Sequence, residues 1–235
     1  MTDDEKRRWK KPKDGTKNSS GRRVGARKVI ARNAKTESSK KWLERQLSDP
    51  YVQKARDAGY RARAAFKLLE IHEKTNLLAG KKRVVDLGCA PGGWLQIIQQ
   101  RGIAEVVGID LLPVEPLLNV HIVEGDVNDV VAIGQMLAGL NGRPDLVLSD
   151  MAANTTGHRQ TDHLRTVALV EMAVTFAINH LEPGGAFCSK VFQGGATADV
   201  LDQLKIHFKS VKHIKPPSSR SGSPEIFVVA TGFRP

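Results

Sequence analysis

The chain has 235 residues, 40% of them hydrophobic, and a net charge of +11, so it can support one sizeable core or one domain with a tail. No apolar run approaches the ~18 residues of a membrane-spanning helix, and the two cysteines and seven histidines show neither CxxC nor HExxH spacing. A membrane protein, a disulfide framework and a metal site are therefore not indicated, and we expect a soluble, cytoplasmic protein.

The first 40 residues are the most basic part of the chain, with 14 Lys and Arg against 5 Asp and Glu, whereas residues 41–235 hold 22 against 20. This tail has few apolar residues and cannot bury enough surface to offset the entropy of ordering. We predict a disordered basic tail at 1–40 and a folded domain at 41–235. The tail suits nucleic acid; a solubilising tail and a mitochondrial targeting segment are the alternatives.

Two helices are predicted after the tail. Ser48-Asp49-Pro50 is a helix-start signal for a helix that runs to about residue 57, and a second helix spans roughly residues 62–74. On a helical wheel Ala65, Leu68 and Leu69 form an apolar face, and Lys67, Glu70 and Lys74 lie on the polar face.

From residue 83 onward, short apolar runs alternate with helical stretches. Strands are predicted at 83–87, 105–109, 120–125, 145–149, 186–192, 211–215 and 226–232, and helices near 93–100, 129–138, 161–181 and 197–207. This alternation predicts an α/β fold with a largely parallel sheet and helices on both faces. No helix separates the last two strands, so we expect them to pair antiparallel.

The stretch VVDLGCAPGGW, residues 84–94, is a strand followed by a glycine-rich loop and a helix start. Ligands bind beyond the carboxyl ends of strands in such sheets, so the loop is a candidate site. It does not match G-x-G-x-x-G or GxxxxGK[ST]. The alternative is an ordinary strand-to-helix turn.

Three acidic residues follow the next strands: Asp110, Asp126 and Asp150. A carboxylate after the second strand can accept hydrogen bonds from a ribose diol, and one after the third can meet an adenine amino group. Each acid alone could simply end a strand. Together with the glycine loop, they predict a site that holds a nucleoside.

The segments DLGCAPGGW, GIDLLP, EGDV, SDMAAN and SKVFQG occur in this order. They resemble the motifs of the FtsJ/RrmJ (RlmE) family of ribosomal RNA ribose 2'-O-methyltransferases, over about residues 40–235. The resemblance implies a Rossmann-like methyltransferase fold, with a seven-stranded, mostly parallel sheet whose last strand is antiparallel. Ala153 departs from the family, which commonly has proline there, and the tail is longer than in compact members.

The resemblance also implies the cofactor and the residues of the site. The cofactor is S-adenosylmethionine, with contacts at Gly92, Trp94, Asp110, Asp126 and Asp150. The family's catalytic Lys-Asp-Lys-Glu tetrad matches Lys67, Asp150, Lys190 and Glu225.

Lys190 is the tetrad member that the sequence supports by itself, because it interrupts the apolar run AFCSKVF, where an unpaired charge is costly to bury. Lys67 could be a solvated lysine, and Glu225 could cap the last strand. An unperturbed lysine is a poor base at neutral pH. The sequence therefore leaves open whether Lys190 is a general base or positions the hydroxyl; our hypothesis is that it aligns the hydroxyl and accepts its proton late.

The stretch SDMAANTTG lacks the [DN]PP[YFW] segment of amino methyltransferases and a nucleophilic cysteine, which favours a hydroxyl acceptor. The resemblance implies a uridine in the A-loop of 23S-type ribosomal RNA within the large subunit, acted on by a monomer. Phosphate contacts are predicted at Arg61, Arg63, Lys81, Lys82 and Arg220. The alternatives are a non-catalytic RNA-binding assembly factor, a 2'-O-methyltransferase for another RNA, and a nicotinamide-dependent oxidoreductase.

Overall fold

The structure is a computed structural model that describes residues 48–153, 157–192 and 198–235. Residues Asp49–Pro235 form one compact unit. The predicted tail and its boundary at residue 40 lie outside the described residues.

Six helices occur in the described ranges. They are α1 (Pro50–Asp57), α2 (Ala64–Thr75), α3 (Gly93–Gln100), α4 (Val130–Leu137), α5 (Arg159–His180) and α6 (Ala198–His207). Asp49 caps α1 because its side chain accepts a hydrogen bond from Tyr51 N, and Pro50 fills the first turn. Asp129 caps α4 in the same way, through Val131 N. None of these helices is both long and apolar enough to cross a bilayer.

Seven strands form one sheet. They are β1 (Arg83–Leu87), β2 (Glu105–Asp110), β3 (Val120–Glu124), β4 (Leu146–Ser149), β5 (Ala186–Phe192), β6 (Phe208–Ile214) and β7 (Glu225–Phe233), in the order β3-β2-β1-β4-β5-β7-β6. The first five strands pair parallel, and β7 lies antiparallel between β5 and β6. The predicted fold class is confirmed.

The sheet has a hydrophobic core on each face. On one face, side chains of α4, α5 and α6 pack on the sheet around Met136, Phe176 and Leu204. On the other face, α2 and α3 pack around Leu68 and Trp94. The strand order reverses at β1, between β2 and β4, which is where open α/β sheets bind ligands.

The predicted helices lie within two residues of the observed bounds, and the predicted strands lie within three. The largest difference is at β6, which begins at Phe208 directly after α6. Phe208 pairs with Phe233 of β7 and is buried, so the strand starts without an intervening turn. The sequence contains no turn residue there that would have located this boundary.

Candidate active site

A cavity of about 380 Å³ opens at the carboxyl ends of β1, β2 and β4. Its volume is within the range of small-molecule sites. The lining residues are Gly88, Ala90, Ile109, Asp110, Leu111, Leu112, Gly125, Asp126, Val127, Asn128, Asp150, Met151, Ala152, Leu169 and Met172. The cavity therefore combines an apolar wall with a few carboxylates and one amide.

Gly88 forms the floor of the cavity where β1 ends. Its φ of +75° is in the left-handed region, and a Cβ at this position would overlap the side chain of Met151. The turn is fixed because Gly88 N and Cys89 N both donate to the carbonyl of Ile109, at 2.9 and 3.2 Å. A glycine is required here by both backbone conformation and space.

Backbone hydrogen bonds orient two of the predicted acids. Asp110 accepts from Ala90 N at 2.8 Å and from Leu112 N at 2.9 Å, so it joins the glycine loop to the end of β2. Asp126 accepts from Asn128 N at 2.9 Å. Each carboxylate oxygen has two lone pairs, so both acids keep acceptor capacity toward the cavity.

Two predicted cofactor residues, Gly92 and Trp94, are not among the residues that line this cavity. The Trp94 indole is buried in the core, where it donates to the carbonyl of Ala64 at 2.8 Å and packs against Phe227. Gly92 precedes α3 with a φ of +103° and lies against Arg61. The structure thus gives the Trp94 side chain a packing role between α2 and the sheet.

Asp86 is a buried acid near the cavity that the sequence analysis did not single out. It is 1% exposed, and neither carboxylate oxygen has a hydrogen-bond partner among the described residues. Desolvation, with smaller contributions from the nearby Asp150 and Asp110, raises the pKa of Asp86 well above its ordinary value. The signal was an acid within an apolar strand, the same signal that identified Lys190.

The charge of the cavity suits S-adenosylmethionine, which carries a sulfonium and an ammonium. Asp110, Asp126 and Asp150 line it, and its described lining contains no lysine or arginine. The unpartnered carboxylate of Asp86 adds a buried acceptor nearby. Such a site favours a cationic nucleoside over a dinucleotide with anionic phosphates, so the residues present fit the expected cofactor.

The structure brings the four predicted tetrad residues together beside the cavity. Lys190 Nζ lies 3.1 Å from Asp150 Oδ1 and donates to the Asp150 carbonyl at 2.7 Å. Lys67 Nζ lies 3.6 Å from Asp150 Oδ2 and donates to Glu225 Oε2 at 2.8 Å. The four side chains form a continuous chain of alternating charges, and Asp150 links that chain to the cavity.

Four elements of the fold position the tetrad. Lys67 comes from α2, and Asp150 follows the end of β4. Lys190 and Glu225 lie on the paired strands β5 and β7. The side chains of Lys190 and Lys67 are 6% and 12% exposed, so the solvated alternative for Lys67 is wrong.

One carboxylate oxygen of the tetrad accepts no hydrogen bond from the described residues. Asp150 Oδ1 is buried and has no hydrogen-bond partner among the described residues, because its 3.1 Å contact with Lys190 has the distance of an ion pair but not the angles of a hydrogen bond. A hydroxyl or ammonium entering from the cavity could donate to this oxygen. The tetrad can therefore accept a polar group of a ligand.

The five predicted phosphate contacts lie in different surroundings. Arg61 donates to the carbonyls of Pro91, Glu115 and Pro116. Lys81 and Lys82 precede β1, at the end of the sheet opposite the cavity, and Lys81 donates to the Asp145 carbonyl.

The other two predicted contacts, Arg63 and Arg220, both pair with Asp49. Only Arg220 keeps a partly open side chain, at 42% exposed. Four of the five predicted contacts have partners in the structure: Arg61, Lys81, Arg63 and Arg220. Among these four, Arg220 is therefore the one best placed to reach a phosphate.

Neither cysteine has the properties of a nucleophile. Burial raises the pKa of both Cys89 and Cys188, and nearby carboxylates raise it further. A thiolate is the reactive form of cysteine. Among the described residues, no group of three or more His, Cys, Asp or Glu is arranged to hold a metal ion.

Comparisons with known proteins agree with this geometry. The FtsJ-like methyltransferase family model matches residues 60–233. The "Ribosomal RNA large subunit methyltransferase E" of Hyphomonas neptunium is 68% identical over the whole of both chains. The protein of the same name from Caulobacter sp. is 54% identical over 92% of this chain and 96% of its own.

A solved structure is also similar. A protein from Plasmodium falciparum, assigned as a ribosomal RNA methyltransferase, is 31% identical and superposes with a TM-score of 0.65 over 74% of this chain and 98% of its own.

Proposed function

Because the chain belongs to the FtsJ-like methyltransferase family, we propose that it transfers a methyl group from S-adenosylmethionine to the 2'-oxygen of a uridine ribose in large-subunit ribosomal RNA. The observation that carries this proposal is the chain of ionic contacts Lys190, Asp150, Lys67 and Glu225, which begins at the carboxylate-lined cavity. The names of the similar proteins support the choice of RNA.

The bound cofactor would supply an electrophilic methyl group on a positively charged sulfur. Asp110 and Asp126, at the ends of β2 and β3, would accept hydrogen bonds from the ribose and the base of the cofactor. The exposed apolar side chains Leu111 and Leu112 would cover the nucleoside from the solvent side. These residues would bind and orient the cofactor, and they would not exchange a proton during the reaction.

Lys190 is the residue that would handle the acceptor hydroxyl. One of its N–H groups is committed to the Asp150 carbonyl, which fixes Nζ while leaving the nitrogen able to contact a ribose 2'-hydroxyl. We expect Lys190 to act as the neutral amine, to align this hydroxyl with the methyl group and to accept its proton late at Nζ, which would give an ammonium paired with Asp150. Lys67 and Glu225 would hold Asp150, and through it Lys190, in place.

Recognition of the RNA would rest mainly on phosphates. Aromatic residues are only 5% of the chain, so stacking on bases has few side chains available. The basic residues 1–40 and Arg220 would hold the RNA without reading its sequence. The site of methylation would then be selected by the shape of the ribosomal particle.

The proposal is tested by methyl transfer from tritiated S-adenosylmethionine to undermodified large ribosomal subunits and, in parallel, to naked ribosomal RNA. Mapping of the label should place it on the ribose 2'-oxygen of one uridine. Label on a base would contradict the hydroxyl acceptor. Binding of the cofactor without any label would instead favour a non-catalytic assembly factor, and binding of NAD would favour an oxidoreductase.

A further inference from the structure

Glu225, the last tetrad member, uses its two carboxylate oxygens for different partners. Oε2 accepts from Lys67 Nζ at 2.8 Å, and Oε1 accepts from the hydroxyl of Ser219 at 2.8 Å. A carboxylate that is held at both oxygens cannot rotate without losing one hydrogen bond. The Ser219 hydroxyl therefore fixes the plane of the carboxylate so that one of its oxygens faces Lys67.

The structure also fixes Ser219 itself. It is 7% exposed, and its backbone N–H closes a turn on the Pro216 carbonyl at 2.9 Å. The preceding residue, Ser218, is 1% exposed and donates both its N–H and its hydroxyl to Glu70 Oε2, at 2.8 and 2.6 Å. The loop between β6 and β7 is thus bound to α2 next to the tetrad.

One face of α2 carries all of these contacts. Arg63 precedes the helix, and Lys67 and Glu70 follow at positions one and two turns later. Arg63 donates to the Ser218 carbonyl, Glu70 accepts from Ser218, and Lys67 donates to Glu225. The face of α2 that carries Lys67 therefore also carries Arg63 and Glu70. These two residues bind the loop that orients Glu225.

We propose that Ser219 is a positioning residue for methyl transfer, whose hydroxyl holds Glu225 in the orientation that keeps Lys67 beside Asp150. This role rests on the proposed function, because it acts through tetrad residues. Ser219 does not line the cofactor cavity, so its contribution should concern the methyl-transfer step and not the affinity for the cofactor.

Removal of the hydroxyl tests this role. In Ser219→Ala, Oε1 of Glu225 would lose its donor on a side chain that is only 13% exposed, and a hydrogen bond to a charged group is one of the stronger kinds. We expect kcat to fall roughly tenfold or more, with the dissociation constant of S-adenosylmethionine within about twofold of that of the unaltered protein. Ser221→Ala, an exposed serine of the same loop, is the matched control and should retain full kcat.

A double-mutant cycle separates positioning from a general loss of structure. If Ser219 acts through Glu225, Ser219→Ala should change kcat less than about twofold when Glu225→Gln is already present. Ser219→Cys, which keeps the shape of serine but has a weak donor, should lose activity like Ser219→Ala. It provides the same test if the alanine variant does not fold.

The outcomes are distinct. Full kcat in Ser219→Ala or Ser219→Cys would overturn the positioning role while leaving the proposed function intact. An equal loss with and without Glu225→Gln would overturn it too, because the effect would then not pass through Glu225. Full activity of Glu225→Gln would overturn the positioning role as well, because the orientation of Glu225 would then not matter. Absence of methyl transfer in the unaltered protein would instead contradict the proposed function on which this role rests.

Discussion

Asp86 is the residue whose environment differs most from that of an ordinary surface acid. Its carboxylate lies within the core, without a hydrogen-bond partner among the described residues, and close to two further acids. An ionised group in such a place destabilises the cofactor-free fold. Asp86 lies close to Asp110 and Asp150, which line the cavity, so a cationic ligand bound there would relieve this cost.

The raised pKa of Asp86 predicts a pH-dependent stability. The pKa of Asp86 is higher in the folded state than in the unfolded state. The folded state therefore binds the proton more tightly, and the stability that this contributes at low pH is lost as the pH rises through the folded pKa. Asp86→Asn does not titrate. We expect its free energy of unfolding, relative to the unaltered protein without cofactor, to increase with pH from about pH 4, by at most about 1.4 kcal/mol per unit.

Urea denaturation of both proteins between pH 4.5 and 8 measures this difference. Using the difference between the two proteins cancels the titration of the other acids. A difference that stays constant across the range would show that Asp86 has the same affinity for protons in both states, and would contradict its placement in the core.

At the scale of elements, the turn from β1 into α3 shapes the cavity. Gly88→Ala would place a methyl group against Met151 at a residue with positive φ, whereas Gly102→Ala has the same strain but open space around it. We expect Gly102→Ala to cost about 1–2 kcal/mol. Gly88→Ala should cost about 1–3 kcal/mol more, and it should weaken cofactor binding because Met151 lines the cavity.

Thermal unfolding and calorimetric titration with S-adenosylmethionine check these two variants side by side. Equal stability losses and equal cofactor affinities would mean that the contact between the Gly88 turn and Met151 has no energetic role.

The helix α2 shows what sequence could and could not predict about these elements. Its apolar face was predicted correctly from the spacing of Ala65 and Leu68, which are buried. The same spacing places Lys67 and Glu70 on a polar face but does not predict their tertiary contacts, which Lys67 makes with Glu225 of β7 and Glu70 makes with Ser218 of the loop between β6 and β7. Their partners are about 150 residues away in the chain, and local periodicity carries no information about such contacts.

Local periodicity also could not predict the contacts of the loop between β6 and β7. The stretch PPSSRSGSP, residues 216–224, has no helical pattern, and Arg220 is the one residue in it for which the sequence predicts a role. Ser218 and Ser219 are nevertheless buried. The strands and the order of the motifs were predictable because alternating apolar runs and glycine positions are local signals. The hydrogen bonds that connect distant elements became visible only once the fold was known.

At the scale of the whole molecule, charge is distributed unevenly along the chain. The 14 basic residues among the first 40 contrast with the nearly balanced remainder. We therefore predict that the salt dependence of binding to large ribosomal subunits depends on this segment. Replacing Arg22, Arg23, Arg27 and Lys28 by glutamine should reduce the slope of log affinity against log salt by up to about 3 to 4.

Titration of labelled subunits from low to high salt measures this slope. Lys212→Gln, which removes a single exposed charge on β6 outside the predicted phosphate contacts, is the control, and it should leave the slope nearly unchanged. An unaltered slope in the four-residue variant would mean that the basic segment does not contact phosphates.

The most direct test of the central claim is the single-turnover rate of methyl transfer by Lys190→Ala at saturating S-adenosylmethionine, with cofactor affinity measured on the same preparation. Lys212→Ala, an exposed lysine on β6, is the control. We expect a loss of at least about a hundredfold in Lys190→Ala, with cofactor affinity retained and with Lys212→Ala fully active. A Lys190→Ala enzyme that transfers methyl groups at the unaltered rate would contradict the assignment of the tetrad as the site of the reaction.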